Sequence, residues 1–198
     1  MQIQTQIISS LAAQILKIDA ADGDYNLGYD EKLRTLCVAF KGTTNISRWV
    51  ANLKTGNYFG FHKGYFMEAI RFLAEVLEVC KSQKPLQIYL TGHSSGGAIA
   101  SILCVLLRRH GYESYCCTFG APKISAKSTP FSYICDFISV YDVVPFLRTK
   151  FKRAGKSFLL DEVEETFIPS LDFLDRHSMD FYYLQTNLLF QDMLVVEL

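Results

Sequence analysis

Ser94 sits in the turn Gly92-His93-Ser94-Ser95-Gly96, between the apolar run Ile88-Tyr89-Leu90 and a helix-like run that opens with Gly97 and Ala98. A serine is lifted to the crest of a tight strand-to-helix turn only where its neighbours carry no bulk, a need that Gly92 and Gly96 meet. A serine hydroxyl is a poor nucleophile at neutral pH. It therefore needs a base to take its proton and an acid to orient that base. In the strand–turn–helix setting these follow in the chain order serine, acid, histidine, on loops at the C-terminal end of a parallel sheet. Of the four histidines, His62 and His93 precede Ser94 and His110 lies at the far end of the helix that Ser94 begins, which leaves His177. The run Phe137-Ile138-Ser139-Val140-Tyr141 reads as a buried strand, and Asp142 is the first charge beyond it. Asp136 falls at the opposite end of that strand, and the acids from Asp161 to Glu165 read as a solvated face. Ser94, Asp142 and His177 are thus the candidate nucleophile, acid and base.

The third requirement is a pair of donors for an oxyanion. The sequence from Val38 to Leu53 ends an apolar strand at the turn Lys41-Gly42-Thr43 and continues through Trp49. Beyond it stand His62-Lys63-Gly64, Gly92-His93-Ser94-Ser95-Gly96-Gly97, Phe119-Gly120-Ala121-Pro122, and Asp142 close to Pro145. In that order these pieces resemble the fungal-type class 3 triacylglycerol lipases, over about residues 33 to 184. The specificity lies in the ordered set and not in any single piece. The resemblance implies an α/β-hydrolase fold, with oxyanion donors at Thr43 and at the main-chain N–H of Ser95, and Asn52 in a supporting position. One such donor is typically worth about 10²- to 10³-fold in rate. Lys41 stands where the family usually has arginine and Ser95 where it usually has leucine, and both changes leave the backbone donors in place. The connection from Asn52 to His62 is short, which implies a site open or only partly covered.

Positioning these residues needs alternating strands and helices. Strands are expected over 33–40, 86–90, 115–119 and 134–141. Helices are expected over 11–17, 63–80, 96–109 and 178–190, the second with Phe66, Ile70, Leu73, Leu77 and Cys80 at helical spacing. Residues 146–160, with Ala154-Gly155-Lys156 at their centre, suggest a hairpin. The pattern predicts a compact, mainly parallel, doubly wound sheet with helices on both faces, in one domain spanning residues 1–198. At 49% hydrophobic content the chain is long enough to bury a sizeable core.

Equal numbers of basic and acidic residues, 20 each, remove any global electrostatic case for nucleic acid. No run approaches the roughly 20 apolar residues of a membrane span, and no histidine or cysteine spacing suggests a metal or cofactor. The N-terminal residues lack the basic start and apolar core of a signal peptide. The six cysteines lie in apolar segments and read as buried free thiols, from which a cytoplasmic protein is expected.

The expected function is hydrolysis of a carboxylic ester, of an acylglycerol or phospholipid, through an acyl-enzyme on Ser94 and without a cofactor. Acyl transfer or thioester cleavage by the same three residues, and a non-catalytic lipase-like interaction module, stay open. The stretch from Arg148 to Lys156 is strongly basic and suggests contact with an anionic membrane surface, anchored by Phe146, Leu147 and Phe151. A solvated hairpin is the competing reading.

Overall fold

The computed structural model describes residues 24–42, 56–147, 149–160 and 177–186. Its centre is a six-stranded sheet built from β1 (Tyr25–Asp30), β2 (Thr35–Phe40), β5 (Gln87–His93), β6 (Ser114–Phe119), β7 (Phe131–Ser139) and β8 (Gly155–Leu160), in that spatial order. Within this sheet, among the described residues, only the β1–β2 pair is antiparallel. Two short strands, β3 (Asn57–Tyr58) and β4 (Phe61–His62), form a separate hairpin. The helices are α1 (Lys63–Gln83), α2 (Ser94–Arg109) and a third, α3, over residues 179–186.

Period-two alternation decides which side chains go where. Leu36, Val38, Phe40, Ile88, Leu90 and Cys116 point to one face and pack with α1 and α2. Ala39, Cys117, Phe119 and Phe137 point to the other and meet Met179 and Tyr182 of α3. A sheet clad on both sides in this way is the doubly wound α/β arrangement the sequence implies. The inward stripe of α1 is Tyr65, Phe66, Ala69, Val76 and Cys80, with Ile70 left 39% exposed, so the helix is turned slightly from the expected face. It ends where Lys84 adopts a left-handed φ of 49° and returns its N–H to the Cys80 carbonyl. α2 is buried along almost its whole length, as a helix sandwiched between the sheet and α1 must be.

Two expectations change. β1 was not anticipated: its outward residues Asn26, Gly28 and Asp30 are polar or small, while Tyr25, Leu27 and Tyr29 pack inward. The hairpin expected over 146–160 is absent. Instead Val144–Phe146 forms one 3₁₀ turn, and Gly155 opens β8 alongside β7 in parallel. Gly155 serves close approach and not a turn, because a Cβ there would lie 2.6 Å from the Ile134 carbonyl oxygen. The helix expected over 11–17 lies outside the described residues, and that expected over 178–190 is described as far as residue 186.

Candidate active site

β5 delivers Ser94 to the C-terminal edge of the sheet, and the chain turns straight into α2. Ser94 has φ 52°, a left-handed value that is strained for any residue with a Cβ and that points its side chain away from both elements. The glycines around it are sterically required. A Cβ on Gly92 would lie 2.4 Å from the Gly96 carbonyl carbon, and one on Gly96 would lie 2.4 Å from the Phe40 carbonyl oxygen. The start of α2 is thereby pressed against the end of β2, where Lys41 and Gly42 leave the sheet. Ser95 occupies the first turn of α2, at the positive end of the helix dipole. Thr43 and Asn52 lie outside the described residues.

Asp142 follows β7 in a tight turn. Its Oδ1 accepts the Val144 N–H at 2.9 Å, and its Oδ2 is 2.7 Å from His177 Nδ1. His177 Nε2 is in turn 2.8 Å from Ser94 Oγ. The structure therefore brings the three sequence-selected residues into one continuous chain of contacts. A carboxylate only accepts, so the imidazole proton sits on Nδ1 and donates to Asp142. Nε2 is left with a lone pair facing the serine hydroxyl. All three side chains are buried, and Ser94 and His177 are each only 3% exposed. The short 52–62 connection implied a site open or only partly covered, and the burial of these side chains speaks against the fully open form. Connection length limits what that segment covers and says nothing of what other segments cover. Residues 57–62 of the connection form the β3–β4 hairpin.

Three further groups were not assigned to the site from sequence. The Tyr182 hydroxyl donates to Asp142 Oδ2 at 2.6 Å and accepts the Ser139 N–H at 3.1 Å, tying α3 to the end of β7. An aromatic at an inward helix position reads as core, and Tyr182 is core as well, with no exposed surface. Its hydroxyl is the part the pattern hides. Gly120, with φ +60°, lies so close that a Cβ would be 2.9 Å from Asp142 Oδ2. Arg153 donates through Nη1 to the Ala121 carbonyl at 3.0 Å and through Nη2 to the Pro145 carbonyl, linking the loops that follow β6 and Asp142.

His93 packs beside His177. Its ring centroid is 4.7 Å from that of His177. Burial, with the neighbouring His177 adding to it, pushes its pKa down to about 3. His93 is consequently uncharged at neutral pH. A groove of about 320 Å³ lined by Gly28, Asp30, Cys37, Ala39 and Thr91 lies over β1, β2 and β5 and touches none of the three site residues.

The sequence pattern of lipase (class 3) matches residues 37–151, more than half of the chain. The chain belongs to the class 3 lipase family. The fold agrees. A triacylglycerol lipase whose catalytic centre is described as a serine protease triad superposes with a TM-score of 0.58 at 20% identity, over 76% of this chain and 73% of that one. The Rhizomucor miehei triacylglyceride lipase superposes with a TM-score of 0.57 at 18% identity, over 87% and 89%. In sequence, a secreted mono- and diacylglycerol lipase of Fusarium solani is 23% identical over 183 residues. That alignment takes in 85% of this chain and 50% of the relative, so the class 3 lipase chain described here spans half the length of that protein.

The secreted relative overturns the cytoplasmic expectation, which leaned on unpaired cysteines. The physical reason is that unpaired cysteines do not report a compartment where burial protects them, as it does four of the six; Cys37 and Cys135, expected to be buried, are only partly so. Cys104, Cys116 and Cys117 are buried, and burial pushes their thiols up, which keeps them protonated and poorly reactive at neutral pH. The membrane anchors expected in this lipase also change. Phe151 is 2% exposed and Leu147 packs against the core, which leaves Phe146 as the outward ring of the three. Among the described residues, no helix is long and apolar enough to cross a membrane.

Proposed function

We propose that the protein hydrolyses carboxylic esters of lipids, acylglycerols in the first place, through an acyl-enzyme on Ser94. The observation that carries this reading is the unbroken series of short contacts from Asp142 Oδ2 through His177 to Ser94 Oγ, at 2.7 and 2.8 Å. Ser94 Oγ attacks the ester carbonyl as its proton passes to His177 Nε2. Asp142 stabilises the imidazolium that forms, itself held by Val144 N–H and the Tyr182 hydroxyl. His93 matters here through its neutrality, since a second cation 4.7 Å from the His177 ring would oppose that imidazolium. The carbonyl oxygen gains negative charge at the N-terminal end of α2, where Ser95 is the family's donor position and Thr43 its partner. The imidazolium then returns the proton to the leaving alcohol. A water activated by the same His177 releases the acid and frees Ser94. The acylglycerol preference is drawn from the name of the Fusarium relative, a mono- and diacylglycerol lipase.

The test combines labelling and turnover. A fluorophosphonate should modify Ser94, located by mass spectrometry, and Ser94→Ala should lower hydrolysis of a soluble p-nitrophenyl ester by about 10³-fold or more with the fold retained. Wild-type turnover in Ser94→Ala would falsify the assignment. Product analysis of monoolein digests assigns the acyl group to water, as hydrolysis requires, or to an added alcohol.

A further inference from the structure

One surface outside the site concentrates charge in a chain that has no net charge. Across residues 56–64, 120–131 and 143–156 the sequence carries eight of the chain's 20 lysines and arginines and none of its 20 aspartates and glutamates. The fold joins these three segments. The Ala126 N–H donates to the Gly60 carbonyl at 2.8 Å and His62 N–H to the Ile124 carbonyl at 2.9 Å. Ser125 and Lys152 exchange main-chain hydrogen bonds at 2.9 and 2.6 Å. Lys63, Lys127, Lys150 and Lys152 are exposed and Lys123 is half-buried. Burial lowers the Lys123 pKa, and the nearby cations Arg153 and Lys152 lower it further, the mark of like charges crowded together. The Lys127 and Lys150 ammonium groups ride over the Phe131 and Phe151 rings at 5.4 and 5.6 Å, laying their stems on apolar surface with the charge outward.

An independent observation lies at the tip of the β3–β4 hairpin, one residue from these contacts. Phe59 and Gly60 have φ values of 49° and 87°, the pair that a two-residue type I′ turn demands. Asparagine or glycine suits the first position, whereas a phenylalanine there is strained. Phe59 is nonetheless 68% exposed. Its ring is braced by Tyr58 at 4.6 Å and Phe66 at 5.6 Å, so it projects as a fixed knob. A strained residue that presents an apolar ring to water stabilises the fold little.

The geometry points to this surface as a docking site for an anionic phospholipid layer, with Phe59 and Tyr58 entering the headgroup region and Lys63, Lys123, Lys127, Lys150 and Lys152 facing the lipid charges. A soft layer closes around a convex aromatic knob, whereas a nucleic acid strand calls for a groove or a flat stacking platform. The main apolar anchor is therefore the hairpin tip, in place of the Phe146, Leu147 and Phe151 suggested by sequence, of which Phe146 alone is exposed. Docking does not depend on hydrolysis, and the two are measured separately.

The experiment is sedimentation of the full chain with vesicles of phosphatidylcholine alone or with about one-third phosphatidylserine, at low and high salt. The wild type should favour the anionic vesicles, and salt should weaken that binding. Lys123→Gln with Lys150→Gln and Lys152→Gln should lower anionic-vesicle binding roughly a hundredfold, at about fivefold per lysine. Phe59→Asn suits the turn better, so it should hold or raise the melting temperature while lowering vesicle binding roughly tenfold. Soluble-ester turnover should be unchanged in both variants. Equal binding to the two vesicle types, wild-type binding by both variants, or capture by single-stranded DNA in place of vesicles each overturns the proposal.

Discussion

His93 makes the stability of this fold depend on pH in a way that one substitution isolates. The folded ring has its pKa lowered from the ordinary 6.5 to about 3 because it is buried. The unfolded chain then binds one more proton than the folded chain between those values, and stability falls as the pH drops through that window. Each pH unit is worth about 1.36 kcal/mol per proton, so acidifying from about pH 6.5 to about pH 4 removes roughly 3 kcal/mol through this group alone. That is a large share of the 5–15 kcal/mol typical of a domain. His93→Phe removes the titration and keeps an aromatic ring against His177 and Tyr182; the ring's hydrogen bond to the His177 main chain is lost as well, which offsets the curve at every pH. Urea unfolding of both proteins across this range is the assay. Carboxylates titrate alike in the two, so they cancel in the difference. The gap between the curves, whatever its value at neutral pH, should shift by roughly 3 kcal/mol in favour of His93→Phe by about pH 4. Parallel curves would show that His93 takes up its proton in the folded state and would refute the reasoning.

Tyr182→Phe leaves the Ser139 N–H without its acceptor and loosens Asp142, so the urea midpoint should fall by the equivalent of about 1–3 kcal/mol and kcat for a soluble ester roughly tenfold, with KM steady. An unchanged midpoint would mean that the hydroxyl's bonds count for nothing. Gly120→Ala sets a methyl 2.9 Å from Asp142 Oδ2 at a φ of +60°, and kcat should drop about 10²-fold as the carboxylate is displaced from His177. Retention of wild-type kcat would remove steric support for Asp142 from the account of Gly120.

Much of the fold was legible because the parallel strands are continuous apolar runs, broken where helices of clear period begin. Ser94 stood out because a nucleophile turn leaves a local mark, two glycines at fixed offsets. Asp142 and His177 followed from chain order, which depends on topology and not on local composition. What escaped has a common cause: it depends on atoms that a residue pattern does not weigh. The Tyr182 hydroxyl is hidden within an apolar helix face. Gly155 has turn-like neighbours, yet it is small because β7 passes close by. β1 is an antiparallel edge with one polar side, so half of its residues argue against it. Phe59 belongs to a turn whose backbone demands are visible only once φ is known.

The tight seat of α2 against β2 has a mechanical consequence. With the Gly96 backbone pressed on the Phe40 carbonyl, the serine and the exit of β2 belong to one rigid body. Asp142 and His177 are held from another side, where Tyr182 ties the turn after β7 to the helix at 179–186. The 2.8 Å hydrogen bond from Ser94 Oγ to His177 Nε2 and the His93 ring, 4.7 Å from that of His177, join the two sets of contacts. Displacing the helix at 179–186 would therefore lengthen the serine–histidine contact while leaving the seat of Gly96 on Phe40 in place. On the hydrolytic reading, heating that loosens this helix is expected to end turnover before the sheet unfolds, which ties the working lifetime to the packing of the chain's later part.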